Sequence, residues 1–175
     1  MKMFEYKNPL HMMPSIPVGE HYGAFGVKRK YERHCGVDLY CDEGESVFPI
    51  EPGIITEINW FTGPETNTPW WNSTRCVCIE GDSGIIVYGE IQEDVGYIKV
   101  GDYVSGEGRI GEVKRVLKKD KGKPTSMLHV SLLTHGFKEA HTHSWKLDDP
   151  KPHWLLDPTP ILIQTKINDM KRRYD

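Results

Sequence analysis

The sequence has no apolar run approaching the ~20 residues that cross a bilayer. Its first residues, "MKMFEYKNPLHMMPSIP", hold charges and prolines where a secretory leader needs an apolar centre. The expectation is therefore a chain without an export signal, cytoplasmic at synthesis and with no membrane partner. An excess of positive charge is also lacking: the formal net charge is −3 and the pI is near 6.2, so nucleic acid is not an expected partner. The basic run "KRVLKKDKGK" (114–123) reads as a solvated loop. Only four cysteines occur, at 35, 41, 76 and 78, and none has the C-x-x-C spacing of a structural zinc site. Reduced thiols are expected. Internal repeats are absent, and helical periodicity is scarce before residue 160.

Short segments bounded by Gly, Pro, Asp and Asn fill the chain instead. Strands are predicted at 36–40, 46–49, 53–60, 75–80, 84–91, 103–105, 109–116 and 127–133, the pattern of an antiparallel all-β domain. "GDSG" (81–84) reads as a hairpin turn. The polar segment 60–75 holds three tryptophans, of which Trp70 and Trp71 are candidates to line a groove. Residues 160–173 read as a short C-terminal helix. The expected organisation is an N-terminal extension (1–24), a β domain (25–163) and a helical tail (164–175).

The chemistry concentrates in "RHCGVDLY" (33–40) and "SMLHVSL" (126–132). His34 and Asp38 are four residues apart, on one face of a strand, and Gly36 between them allows close backbone approach. An imidazole and a carboxylate suit zinc, which takes nitrogen and oxygen ligands. His129, alternating with Met127 and Ser131, is open to three roles: metal ligand, catalytic base, or polar residue on a half-buried strand.

The ordered series "RHCGVDLY", "GESVFPIEPGIITEI" (44–58), "GIIVYGEI" (84–91), "IKVGDYVSGEGRIGEV" (98–113) and "MLHVSL" (127–132) resembles the lysostaphin/LytM-type zinc metallopeptidases, many of which cut peptide bonds in bacterial cell walls. "WLLDPTPIL" (154–162) extends the likeness. The resemblance implies an antiparallel sheet or sandwich with a groove, of the duplicated hybrid motif type. It also implies one zinc ion held by His34, Asp38 and His129, with an open fourth position of the catalytic kind.

Two positions depart from the family. Met127 stands where the first histidine of H-L-H is expected, and Glu90 replaces the histidine of Y-x-H. Ser131 also replaces a glutamate. In one reading Glu90 is the general base, and the chain is a zinc endopeptidase acting on peptidoglycan peptides. In the other the domain is catalytically inactive and binds peptide, cell-wall fragments or a protein partner. Tyr88, two residues before Glu90, is a candidate substrate-binding residue. "HTHSW" (141–145) reads as a surface loop, or as the source of a missing oxyanion donor. Without a leader, an extracellular substrate would be reached by lysis, as for a phage-encoded or virion-associated protein.

Overall fold

Alternating side chains along residues 127–133 organise the molecule. The structure is a computed structural model that describes residues 4–175. Among them the strands are β1 (Val37–Tyr40), β2 (Ser46–Val47), β3 (Gly53–Thr62), β4 (Thr74–Gly81), β5 (Gly84–Ile91), β6 (Tyr103–Val104), β7 (Gly111–Glu112), β8 (Met127–Leu133) and β9 (Leu155–Leu156), followed by helix α1 (Thr159–Tyr174). The main sheet is antiparallel in the order β1-β8-β5-β4-β3-β6, with β9 on the end of β8, and β2 pairs with β7 separately.

Each face of the sheet has its own core. Leu128, Val130 and Leu132 of β8 face one way, packing with Val37 and Leu39 of β1, Val77 and Ile79 of β4, Ile86 and Tyr88 of β5, and Leu162 of α1. Leu133 faces the other way, among Cys76, Cys78, Ile85, Val87, Trp145 and Leu155. The period-2 alternation thus assigns His129 and Ser131 to the second face. Burying each large aliphatic chain contributes about 1.5–3 kcal/mol. All four cysteines are free, and burial, the main cause, pushes the Cys35 and Cys41 thiols up to about 12.

The predicted strands form, with two differences. Only Gly111–Glu112 of 109–116 is strand, and β9 lies outside the predicted strands. The antiparallel all-β class with one C-terminal helix is the architecture found.

Described residues of the 1–24 segment and the C-terminal helix pack against the β domain. Leu10 and Ala24 are buried, Lys7 N donates to Ile50 O and Phe48 N donates to Pro9 O. Helix α1 begins at Thr159, inside the expected β domain, with a proline in its first turn where no backbone donor is needed. It seats Leu162, Thr165 and Asn168 inward, and Asn168 Nδ2 donates to Tyr6 O. No described helix is long and apolar enough to cross a membrane.

Candidate metal centre

Strand pairing sets the site. In the antiparallel β1–β8 ladder Asp38 lies directly opposite His129, and residues so paired project from the same face. His34 precedes β1, which starts only at Val37, so a shared strand does not place it as the sequence suggested. Its backbone is held by residues 26 and 27: His34 N donates to Val27 O, and Gly26 N to His34 O. Gly36 lets β1 come close. A Cβ there would lie 2.3 Å from Val130 O, 2.7 Å from Ser131 Oγ and 2.8 Å from His129 Nε2.

Three atoms converge. His34 Nε2 lies 3.3 Å from His129 Nδ1 and 3.2 Å from Asp38 Oδ1, and His129 Nδ1 lies 3.0 Å from Asp38 Oδ1. Bond lengths to zinc of about 2.0–2.2 Å give a tetrahedron with edges of roughly 3.3–3.6 Å. The triangle is close to, and slightly smaller than, one face of it. All three residues are buried, and among the described residues they form the one His/Cys/Asp/Glu group able to hold a metal ion. His34 Nδ1 lies 3.0 Å from Ala24 O, which can only accept, so Nδ1 carries a hydrogen and Nε2 is the atom turned toward the cluster.

Burial alone would raise the Asp38 carboxyl. The adjoining His34 and His129 imidazoles outweigh it and hold the group well below the usual carboxylate range. Burial drives the His129 pKa down. The second carboxylate oxygen, Asp38 Oδ2, accepts from Arg29 Nη2 at 2.7 Å. Arg29 also donates to Tyr22 O and stacks on the Tyr22 ring.

Asp38 and His129 of the triad line a cavity of about 580 Å³. Glu90, Met127, Trp70 and Trp71 line it, the two tryptophans being the residues the sequence offered for a groove. Glu90 arrives by an irregularity. A register shift separates Arg75 and Val77 of β4 opposite β5, and Glu90 has a φ of 66°. Gly89 pairs with His129, so regular alternation would turn residue 90 away from the site; the left-handed backbone reverses this. Thr74 Oγ1 donates to Glu90 Oε2 at 3.3 Å. Burial first, then the Asp38 charge, push the Glu90 carboxyl up to about 8.

Tyr88 is a correction. It is fully buried in the opposite core, where its hydroxyl accepts from Ile50 N at 2.8 Å, so it does not line the groove. The shared-face argument for Tyr88 and Glu90 assumed a regular strand, and the irregularity removes it. The basic run is also placed differently: Lys121 and Lys123 line the cavity, and Lys123 Nζ sits 4.0 Å from the Tyr22 ring centre. Arg29, His21, Tyr22 and Tyr40, all wall residues, escaped sequence reasoning because no spacing ties residues 21–29 to the groove. His143 escaped too, although "HTHSW" drew notice. It bonds Ser131 Oγ from beneath the triad.

No protein-family model matches the sequence, and no curated protein matches it either. Solved structures do match. A candidate peptidase M23 from Pseudomonas aeruginosa aligns over 91% of this chain and 50% of its own, with TM-score 0.52 and 16% identity. A candidate glycyl-glycine endopeptidase LytM from Ruminococcus gnavus covers 75% of this chain and 47% of its own, at TM-score 0.50 and 17% identity. The chain therefore spans about half the length of these two. CbpA from L. salivarius REN aligns over 94% of this chain and 98% of its own, with TM-score 0.54 and 18% identity.

The fold is that of the LytM-like M23 peptidases.

Proposed function

We propose that this chain is a zinc-dependent endopeptidase acting on bacterial cell-wall peptides, with His34, Asp38 and His129 as ligands and Glu90 as general base. One observation carries the reading: two imidazole nitrogens and a carboxylate oxygen meet within 3.3 Å, each with its lone-pair side turned to the same point. Such acceptors repel unless a cation sits among them. A proton serves in the metal-free chain, so metal uptake would release it. Two nitrogens and one oxygen on a tetrahedral face suit zinc among common divalent ions. Zinc held there would supply Lewis acidity toward a carbonyl oxygen and lower the pKa of water.

The chain's own groups supply the rest. Glu90 is buried beside the triad, with Thr74 Oγ1 on Oε2, leaving Oε1 to take a proton from water and pass it to the departing amine. Trp70 and Trp71 offer flat apolar surface to an extended peptide. Arg29, Lys121 and Lys123 suit acidic side groups on it.

Met127 favours a second reading, an inactive zinc-site domain that binds peptide or a protein partner. It lines the cavity, and its thioether neither transfers a proton nor stabilises an oxyanion. Elemental analysis for one zinc per chain, alongside peptidoglycan digestion by wild type and Glu90→Gln, separates the readings. Zinc with wild-type cleavage lost in Glu90→Gln supports the enzyme. Zinc with peptide binding and no cleavage supports the binder, and no zinc defeats both.

A further inference from the structure

Behind His129, on the side away from the other two candidate ligands, runs a chain of hydrogen bonds that starts at a backbone carbonyl. His143 Nδ1 lies 2.5 Å from Ala140 O. A carbonyl oxygen only accepts, so Nδ1 carries the hydrogen. The other nitrogen, Nε2, then holds a lone pair 2.8 Å from Ser131 Oγ, and the Ser131 hydroxyl donates to it. With its single hydrogen committed, Ser131 Oγ can only accept from His129 Nε2, 2.6 Å away. His129 Nε2 is therefore the protonated nitrogen. Its Nδ1 is left bare, and Nδ1 is the atom that meets His34 Nε2 and Asp38 Oδ1.

The chain is built into the fold at both ends. Ser131 is fully buried two residues along β8 from His129, on the same face. The turn bearing His143 is gripped from β3: Glu57 Oε2 accepts from Ala140 N at 2.6 Å, and Glu57 Oε1 accepts from His141 Nδ1 at 2.6 Å. Burial, then the neighbouring His129, push the His143 pKa down to about 4. The ring is neutral near pH 7, and its Nε2 stays an acceptor.

We propose that His143, acting through Ser131, is a positioning residue for the metal centre: it fixes the tautomer of His129 and holds the Nδ1 lone pair on the ion. The inference rests on the zinc reading above. It assigns a role to a histidine that the sequence placed on a surface loop, and explains how a serine serves where the resembled pattern has a glutamate. A neutral acceptor chain replaces a carboxylate.

Three full-length proteins test it: wild type, His143→Ala and His143→Gln. The glutamine Oε1 reaches about as far as the histidine Nε2 and accepts the same hydrogen, while alanine cannot. Zinc affinity is measured by chelator competition at pH 7.5, and the ring nitrogens of zinc-loaded wild type are assigned by long-range ¹H–¹⁵N correlation. The expected result is His143 in the Nδ1–H form, zinc binding weakened about 10–100-fold in His143→Ala, and recovery to within about threefold of wild type in His143→Gln. His143 in the Nε2–H form overturns the proposal in wild type alone, whether or not the alanine variant folds. So does zinc binding by folded His143→Ala within threefold of wild type, or a His143→Gln protein as weak as the alanine variant. Wild type that binds no zinc overturns the metal reading and this proposal with it. Zinc-binding wild type matched by His143→Ala overturns this proposal alone.

Discussion

Glu90→Gln should remove a large pH-dependent contribution to stability in the metal-free protein. The wild-type carboxyl is buried, lies near the Asp38 charge, and is pushed from 4.5 up to about 8, with only the Thr74 hydrogen bond and Arg29 pulling the other way. A folded-state value above the unfolded one means that the folded chain holds its proton more tightly. The stability this contributes is fully present below about pH 4.5 and is lost as pH rises through 8. Each pH unit in that window costs about 1.4 kcal/mol, so the whole window is on the order of 5 kcal/mol. Glutamine keeps the shape, still accepts from Thr74, and cannot ionise.

Urea denaturation in the presence of a chelator, at intervals from pH 5 to 9, should therefore show the variant gaining on wild type steadily up to pH 8, then holding a constant lead. His143 works in the opposite sense: its lowered value makes wild type lose stability as pH falls from about 6.5 to about 4. The two proteins share that contribution, so it cancels in the difference. Zinc should narrow the lead, because a dication offsets the Asp38 charge that helps hold Glu90 neutral. A difference between the proteins that stays flat across pH 5–9 would refute a Glu90 carboxyl buried and held protonated in the metal-free protein.

Other residues give sharper yes-or-no outcomes. Gly36→Ala places a methyl group 2.3 Å from Val130 O, so β1 must withdraw from β8; the expected loss is about 1–3 kcal/mol in unfolding, with zinc affinity falling alongside. Arg29→Gln removes the partner of Asp38 Oδ2 at 2.7 Å, and thermal unfolding should register about 1–3 kcal/mol of destabilisation. Trp70→Ala, at a side chain 61% exposed, should leave stability within about 0.5 kcal/mol, while peptide KM or Kd rises and kcat does not. Tyr88→Phe leaves Ile50 N–H without its partner in the core, costing about 1–3 kcal/mol, and should leave turnover and zinc content unchanged.

How much of this could be read in the sequence depended on how regular the backbone is. Where strands are regular, alternation is reliable: β8 puts His129 and Ser131 on one face and Leu128, Val130 and Leu132 on the other. Gly36 was readable as a point of close approach because only glycine lacks the atom that would collide. Regularity fails at Glu90, whose left-handed backbone rotates one carboxylate into the cavity and strips Tyr88 of its inferred place beside it. Nothing in "YGEI" announces that rotation, since glutamate has no preference for positive φ. The cavity walls were hidden for a different reason. Arg29, Tyr22 and Lys123 reach the site from separate loops, brought together by packing that carries no periodic signal.

Two independent costs fall on Glu90, and their coincidence bears on whether the site performs chemistry. A left-handed backbone at a residue other than glycine is unfavourable by about 1–2 kcal/mol. Burying an ionisable carboxyl beside Asp38 adds a penalty that grows with pH. The hydrogen bond from Thr74, at 3.3 Å, is long and offsets only part of this. A glycine at 90 would remove both costs while keeping the bulge. A domain that only bound zinc and peptide would gain stability from that exchange and lose no ligand, since the triad does not include residue 90. Strain and a displaced pKa converging on one side chain that faces a cavity are what a proton-transfer group would show, and they favour the enzyme reading proposed above over the binder. With Met127 unable to move a proton, Glu90 is the group at the cavity wall that chemistry would require.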